Sequence, residues 1–185
     1  MLNQNQDILT RALKWLNSGH NVVLYTVVNT WGSSPRPPGS IMALRDDGKV
    51  AGSVSGGCIE DDLILQSKKS GFPSKPSIIS YGVKADEARH FGLPCGGTMR
   101  LVQEPLSGSV ATDSMTQLIG MLEQGKIVKR HLSLDTALVS QTVAEENDVL
   151  QCNEKEFIAI FGPRYRLLII GAGQIGELLS QIAIS

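Results

Sequence analysis

Gly32-Ser33-Ser34-Pro35-Arg36-Pro37-Pro38-Gly39-Ser40 leads into the apolar Ile41-Met42-Ala43-Leu44; Asp46-Asp47-Gly48-Lys49 then turns the chain back through Val50 to Val54, ahead of Ser55-Gly56-Gly57-Cys58-Ile59-Glu60-Asp61-Asp62. The Asp-Gly pair tolerates the positive φ of a short hairpin, so Ile41–Leu44 and Val50–Val54 read as paired strands. Ile59 to Ser70 reads as a helix with Leu63 and Ile64 inward, ended by Gly71 and Pro73. Strand, hairpin, strand and helix in this order point to an α+β domain. Two loops rich in Gly, Ser and Pro frame the unit. Glycines let backbone N–H groups approach a ligand, and a helix N-terminus adds donors and partial positive charge. Tight turns alone explain the glycines, but not two such loops so close together.

Working outward, Asp7 to Asn17 reads as an amphipathic helix through Ile8, Leu9, Ala12, Leu13 and Leu16, and Val22 to Val28 as a strand. Ser77 to Tyr81 and Thr98 to Gln103 are further strands, separated by Gly92-Leu93-Pro94-Cys95-Gly96-Gly97. Met115, Leu118, Ile119 and Leu122 mark a helix over Asp113 to Glu123; Ile127–Leu134, Ala137–Val143 and Glu156–Phe161 read as weaker strands. The expected architecture is a mixed sheet with flanking helices over residues 1–161, then a linker over 162–165, because Gly162-Pro163 breaks either period. Residues 166–185 carry the apolar Arg166 to Ile170 and Gly171-Ala172-Gly173-Gln174-Ile175-Gly176. That is a glycine fingerprint in strand–turn–helix context, the first β–α unit of an incomplete Rossmann fold. The acidic ribose ligand would lie about 20 residues further on, past Ser185. Gly171, Gly173 and Gly176 are therefore expected not to bind a dinucleotide here.

The bulk composition narrows the function. A 42% hydrophobic and 19% charged chain of 185 residues can bury a core. Net charge of −1 without a cluster of Lys or Arg argues against nucleic acid, and no stretch reaches the length of a membrane span. The amino terminus lacks a signal peptide's pattern, and three well-separated cysteines suit a reducing cytoplasm better than a disulfide framework. Neither the cysteines nor the three histidines have metal-site spacing, so no directly bound metal is expected.

Cys58 and Cys95 share one grammar, Gly56-Gly57-Cys58 and Cys95-Gly96-Gly97, in which backbone amides beside a thiol suit an anionic sulfur ligand. The plainer alternative is two small packed cysteines beside turns. Arg36 is the first loop's only cation, a bidentate partner for phosphate or a pterin carbonyl, or else a solvated arginine. Ser34 and Ser55, like Ser33 and Ser53, offer hydroxyls to a ligand or bond locally. Glu60, Asp61 and Asp62 complement a helix dipole, and would repel a phosphate placed there. No nucleophile–base triad and no Gly-x-Ser-x-Gly is present, so no catalytic residue is assigned. Cys152, in a polar context, carries no functional reading.

Taken in order, Gly32-Ser33-Ser34-Pro35-Arg36-x-x-Gly39, Asp47-Gly48, Gly52-Ser53-Val54-Ser55-Gly56-Gly57-Cys58-Ile59-Glu60, Gly92-Leu93-x-Cys95-Gly96-Gly97 and the late glycine fingerprint resemble the XdhC/CoxI family from about Val22 onward. The resemblance implies an accessory factor for xanthine dehydrogenase-type molybdenum hydroxylases, more a maturation factor than an enzyme. Such a factor binds molybdopterin, protects its sulfurated form and delivers it to the apoenzyme. It further implies a cysteine desulfurase-type sulfur donor as partner and a homo-oligomer. By matching position, Cys95 and Cys58 would lie near the metal–sulfur end, with Arg36, Ser34, Ser55 and the amides of Gly56, Gly57, Gly96 and Gly97 around the pterin or phosphate. The chain departs from the family pattern at Gln174, where a histidine is common, and in how little follows the fingerprint. Two other classes stay open: an NAD(P)-binding oxidoreductase, favoured by Gly171–Gly176, and a structural or regulatory domain whose glycine loops are only turns.

Overall fold

The structure is a computed structural model and describes residues 4–31, 36–82, 98–163, 168–171 and 173–184. The α+β class holds. Instead of one mixed sheet, the described strands form two sheets, antiparallel throughout. After helix α1 (Gln4–Asn17) come β1 (Val22–Trp31), β2 (Ile41–Arg45), β3 (Val50–Gly52), α2 (Cys58–Ser70), β4 (Ser77–Tyr81) and β5 (Thr98–Leu106). Then follow α3 (Gly108–Glu123), β6 (Val128–Ser133), β7 (Val139–Val143), β8 (Gln151–Cys152), β9 (Glu156–Phe161) and α4 (Gln174–Ile184). The first sheet has the order β3-β2-β1-β5-β4 and the second β7-β6-β9-β8.

Central strand β1 is buried without a break from Val22 to Val28 because both faces of the first sheet are covered. On one face Val22, Leu24 and Val28 pack with Ile8, Leu9 and Ala12 of α1 and with Met115 and Leu118 of α3. The second sheet joins that cluster through Val128, Leu132, Phe157 and Phe161. On the other face Val23, Tyr25, Val27, Met42 and Leu101 meet Ile59 and Leu63 of α2. Strand β6 alternates buried and half-buried positions, as expected of a strand with one covered face.

One buried position of β6 is charged. Arg130 Nη1 and Nη2 donate to the two carboxylate oxygens of Glu104 on β5 at 2.8 and 2.5 Å, bridging the two sheets where both residues are almost wholly buried. The β2–β3 hairpin turns at Gly48, whose φ is +92°, and Asp47 locks it by accepting from Arg45 Nε at 2.8 Å. In the tail, Leu168 to Ile170 form no strand, and Leu168 and Ile170 are exposed. An apolar run becomes a strand only beside a neighbour that takes its backbone hydrogen bonds, and no strand pairs with it among the described residues.

Candidate functional site

The register of the first sheet gathers its loops. Thr26 pairs with Ile41, Met42 with Gly52, Trp31 with Thr98, and Tyr81 with Met99. The end of β1, the start of β2, the ends of β3 and β4 and the start of β5 therefore lie at one end of the sheet. The β1–β2 loop with Arg36, the β3–α2 loop with Cys58 and the β4–β5 connection with Cys95 all depart from that end. Of the residues singled out in the sequence, Ser34, Cys95, Gly96 and Gly97 lie outside the described residues.

Two of the loops border the same small hollow. Gly39 N donates to Val27 O at 2.8 Å, and Ser53 N to Ile41 O at 3.2 Å. Asn5 Nδ2 reaches across from α1 to Gly39 O at 3.0 Å. Arg36, Ser40 and Ser53 share a small hollow with Asn5, Ile8 and Ile41. Gly52 makes the approach possible. Its φ is +83°, and a Cβ there would lie 2.5 Å from both Ile41 O and Ile8 Cδ1.

The β3–α2 loop is built around Glu60. Its Oε1 accepts from Ser53 Oγ at 2.6 Å, from Val54 N and Ser55 N at 2.8 Å each, and from Gly56 N at 3.0 Å. Its Oε2 accepts from Ser55 Oγ and, at 2.9 Å, from Gly57 N. Burial by itself would raise this carboxyl; the bonds from Ser53, Ser55 and Gly56 outweigh it and hold the group well below the usual carboxylate range. The sequence offered the Ser55 hydroxyl and the amides of Gly56 and Gly57 to an external anion. In the fold they face an internal one. The signal was readable: Glu60 stands three residues after Gly57, the glutamate position of a capping box, though glycine brings no side chain for the other half.

Cys58 follows as the first residue of α2 and is exposed. Behind it Tyr81 Oη donates to Asp62 Oδ2 at 2.9 Å, so the first turns of α2 are tied to the end of β4. Cys152 is half-buried on β8, in the second sheet. Among the described residues no group of three or more His, Cys, Asp or Glu is arranged to hold a metal ion, and no helix is long and apolar enough to cross a membrane.

Residues 15–82 match the profile of the XdhC and CoxI family, the stretch that contains the Arg36 loop, the Glu60 nest and Cys58. Over these residues the chain is similar to that family. It is 28% identical over 183 residues to a molybdenum cofactor insertion chaperone, PaoD, of Escherichia coli (strain K12), covering 99% of this chain and 56% of that one. A probable xanthine dehydrogenase subunit of Bacillus subtilis (strain 168) is 28% identical over 81 residues, 44% of this chain and 24% of its own. The chain thus spans about half the length of the first relative and less of the second. A crystal structure titled a xanthine dehydrogenase from Bacillus halodurans superposes with a TM-score of 0.60 at 23% identity, over 84% of this chain and 53% of that one. That likeness is one of fold.

Proposed function

We propose that this XdhC/CoxI-like chain is a molybdenum cofactor-binding maturation factor, which holds molybdopterin and passes it to an apo molybdenum hydroxylase. One observation carries the reading: the loops bearing Arg36, Cys58 and Cys95 leave the same end of one sheet, in a chain similar over nearly its whole length to a protein named as a molybdenum cofactor insertion chaperone. The domain limits of 161 and 166 set out above belong to the same proposal.

The residues fit the cofactor unevenly. Cys58 is an exposed soft sulfur donor, suited to a metal–sulfur centre. Gly56 N, Gly57 N and the Ser55 hydroxyl are engaged by Glu60, and a phosphate brought to them would meet a buried carboxylate. The anionic end of the cofactor is therefore assigned to the side of Arg36. When bound, the cofactor carries the redox and sulfur chemistry that its client enzyme needs. This chain's part is to bind, orient and shield. Glu60 braces the loop so that Cys58 starts α2 in a fixed position; Cys58 and Cys95 approach the sulfur end; Arg36 faces the phosphate. A cysteine desulfurase-type donor, delivery in the sulfurated form and self-association extend the same reading.

The test is retention of cofactor by the full chain after gel filtration, read as pterin fluorescence and molybdenum content. Cys58→Ser and Cys95→Ser should each retain several-fold less than the parent while keeping its circular dichroism. Parent-like retention by both variants would overturn the sulfur assignment.

A further inference from the structure

Strand β7 closes one side of the second sheet, whose strand order is β7-β6-β9-β8. Ser133 N of β6 donates to Leu138 O at 2.9 Å, and Ala144 N to Ile127 O at 2.8 Å, at the two ends of the β6–β7 ladder. Bonded pairs alternate with unbonded ones along an antiparallel ladder. The register between those ends is unbroken, so Leu138, Ser140, Thr142 and Ala144 turn their backbone groups to β6. Val139, Gln141 and Val143 turn theirs to the open side. Among the described residues no strand lies there.

Sheet edges of soluble proteins are commonly blunted by Lys, Pro or a bulge, which keep other chains from pairing. Strand β7 has none of these. Its five residues are uncharged, its register with β6 is regular, and Ser140, Thr142 and Val143 are exposed. Exposed apolar side chains surround it. Leu138 is 71% exposed and Val143 55%, and Val110 of α3, 82% exposed, borders the same hollow as Leu138 and Val139. Of the other edges, β3 and β8 are only three and two residues long, and β4 leads into residues outside those described.

The sequence of β7 is complementary to itself. Val139-Ser140-Gln141-Thr142-Val143 shows the same order of side-chain types from either end. We propose that a second copy of this chain pairs its β7 with this one, antiparallel, about a twofold axis at Gln141. Val139 then stands opposite the partner's Val143, Ser140 opposite the partner's Thr142, and Gln141 opposite its own counterpart. Every backbone group turned to the open side meets one from the partner, because Val139, Gln141 and Val143 pair only among themselves. A register shifted by one residue would set them against Ser140 and Thr142, whose backbone bonds go to β6. No like charges meet, and Ser–Thr pairs hydrogen-bond favourably across strands. This gives a surface to the self-association included in the proposed function, and its test needs no cofactor, so either can fail alone.

The experiment is sedimentation equilibrium of the full chain over a range of concentrations. One strand edge makes less than a standard interface, so the parent should dimerise with a Kd on the order of 10–100 µM. Ser140→Lys combined with Thr142→Lys sets lysine against lysine twice across the axis, and should weaken the dimer roughly tenfold or more. Both side chains are exposed, so circular dichroism and Tm should stay close to the parent's. Ser140→Glu combined with Thr142→Lys sets glutamate against lysine twice, and should associate at least as tightly as the parent. A parent that is monomeric at about 1 mM, roughly ten times the weakest Kd expected, would overturn the proposal. So would parent-like association of the double-lysine variant, as when the exposed stripe of Ile175, Leu178, Leu179 and Ile182 holds the copies together. Equal weakening by the two double variants would overturn it as well, because pairing Ser140 with Thr142 demands opposite effects.

Discussion

Ser53 Oγ donates to Glu60 Oε1 at 2.6 Å, tying the residue after β3 to the first turn of α2. Through that one carboxylate the intervening amides are also held, so the loop leading to Cys58 is shaped by Glu60 and not by its glycines alone. Glu60→Gln keeps the volume but replaces one acceptor oxygen by an NH₂ that faces donors. It should cost about 2–4 kcal/mol in urea unfolding. A loss below about 0.5 kcal/mol, the size of an ordinary surface substitution, would show that the nest is dispensable.

The same carboxylate predicts a pH dependence. Folding lowers the Glu60 pKa from its ordinary value of 4.5, so its contribution is fully present above the unfolded pKa and is lost as pH falls towards the folded one. Parent stability should decline steadily from about pH 5 downward. Glu60→Gln should show a visibly flatter profile over the same range. Parallel profiles would assign the acid sensitivity to other carboxylates.

Gly52 and Gly48 make a controlled pair, since both have positive φ. At Gly48 an added Cβ finds only ordinary contact, 3.5 Å from Lys68 Cε, so Gly48→Ala should cost about 1–2 kcal/mol for the left-handed backbone alone. At Gly52 the same Cβ collides with Ile41 O and Ile8, so Gly52→Ala should cost clearly more and lower Tm further. Equal Tm shifts would mean that α1 gives way without cost.

Between the sheets, Arg130→Met should destabilise by about 3–5 kcal/mol, because Glu104 would be left buried without its partner. Adding Glu104→Leu to Arg130→Met should recover most of that loss in a double-mutant cycle. If the double variant is as unstable as the single, the pair contributes net stability that apolar packing cannot replace.

These relationships differ in how far the sequence reveals them. The β2–β3 hairpin was legible because Asp47-Gly48 supplies its turn, and α1 and α3 because their apolar residues recur at helical spacing. The helix read from Asp113 starts earlier, at Gly108, with an exposed first turn that carries no apolar periodicity for the sequence to reveal. Division into two sheets was not legible: strand pairing is decided by partners far apart in sequence, as in Val22 with both Arg45 and Leu106. Glu104 lies just past the strand read to Gln103 and Arg130 inside the one read over Ile127–Leu134, and only their facing positions turn both into core residues. Strand β8 is too short to carry a pattern. At the candidate site, Cys58 and the glycine loops stood out by residue type, whereas the six bonds gathered on Glu60 depend on the loop folding back over it.

The most direct test of the account is equilibrium binding of purified molybdenum cofactor to the full chain and to Cys58→Ser, under anaerobic conditions and with free and bound cofactor separated and quantified. The account predicts saturable binding by the parent and at least roughly tenfold weaker binding by the variant, a difference of about 1.4 kcal/mol. Identical saturation curves for the two proteins, or no saturable binding by the parent, would contradict it.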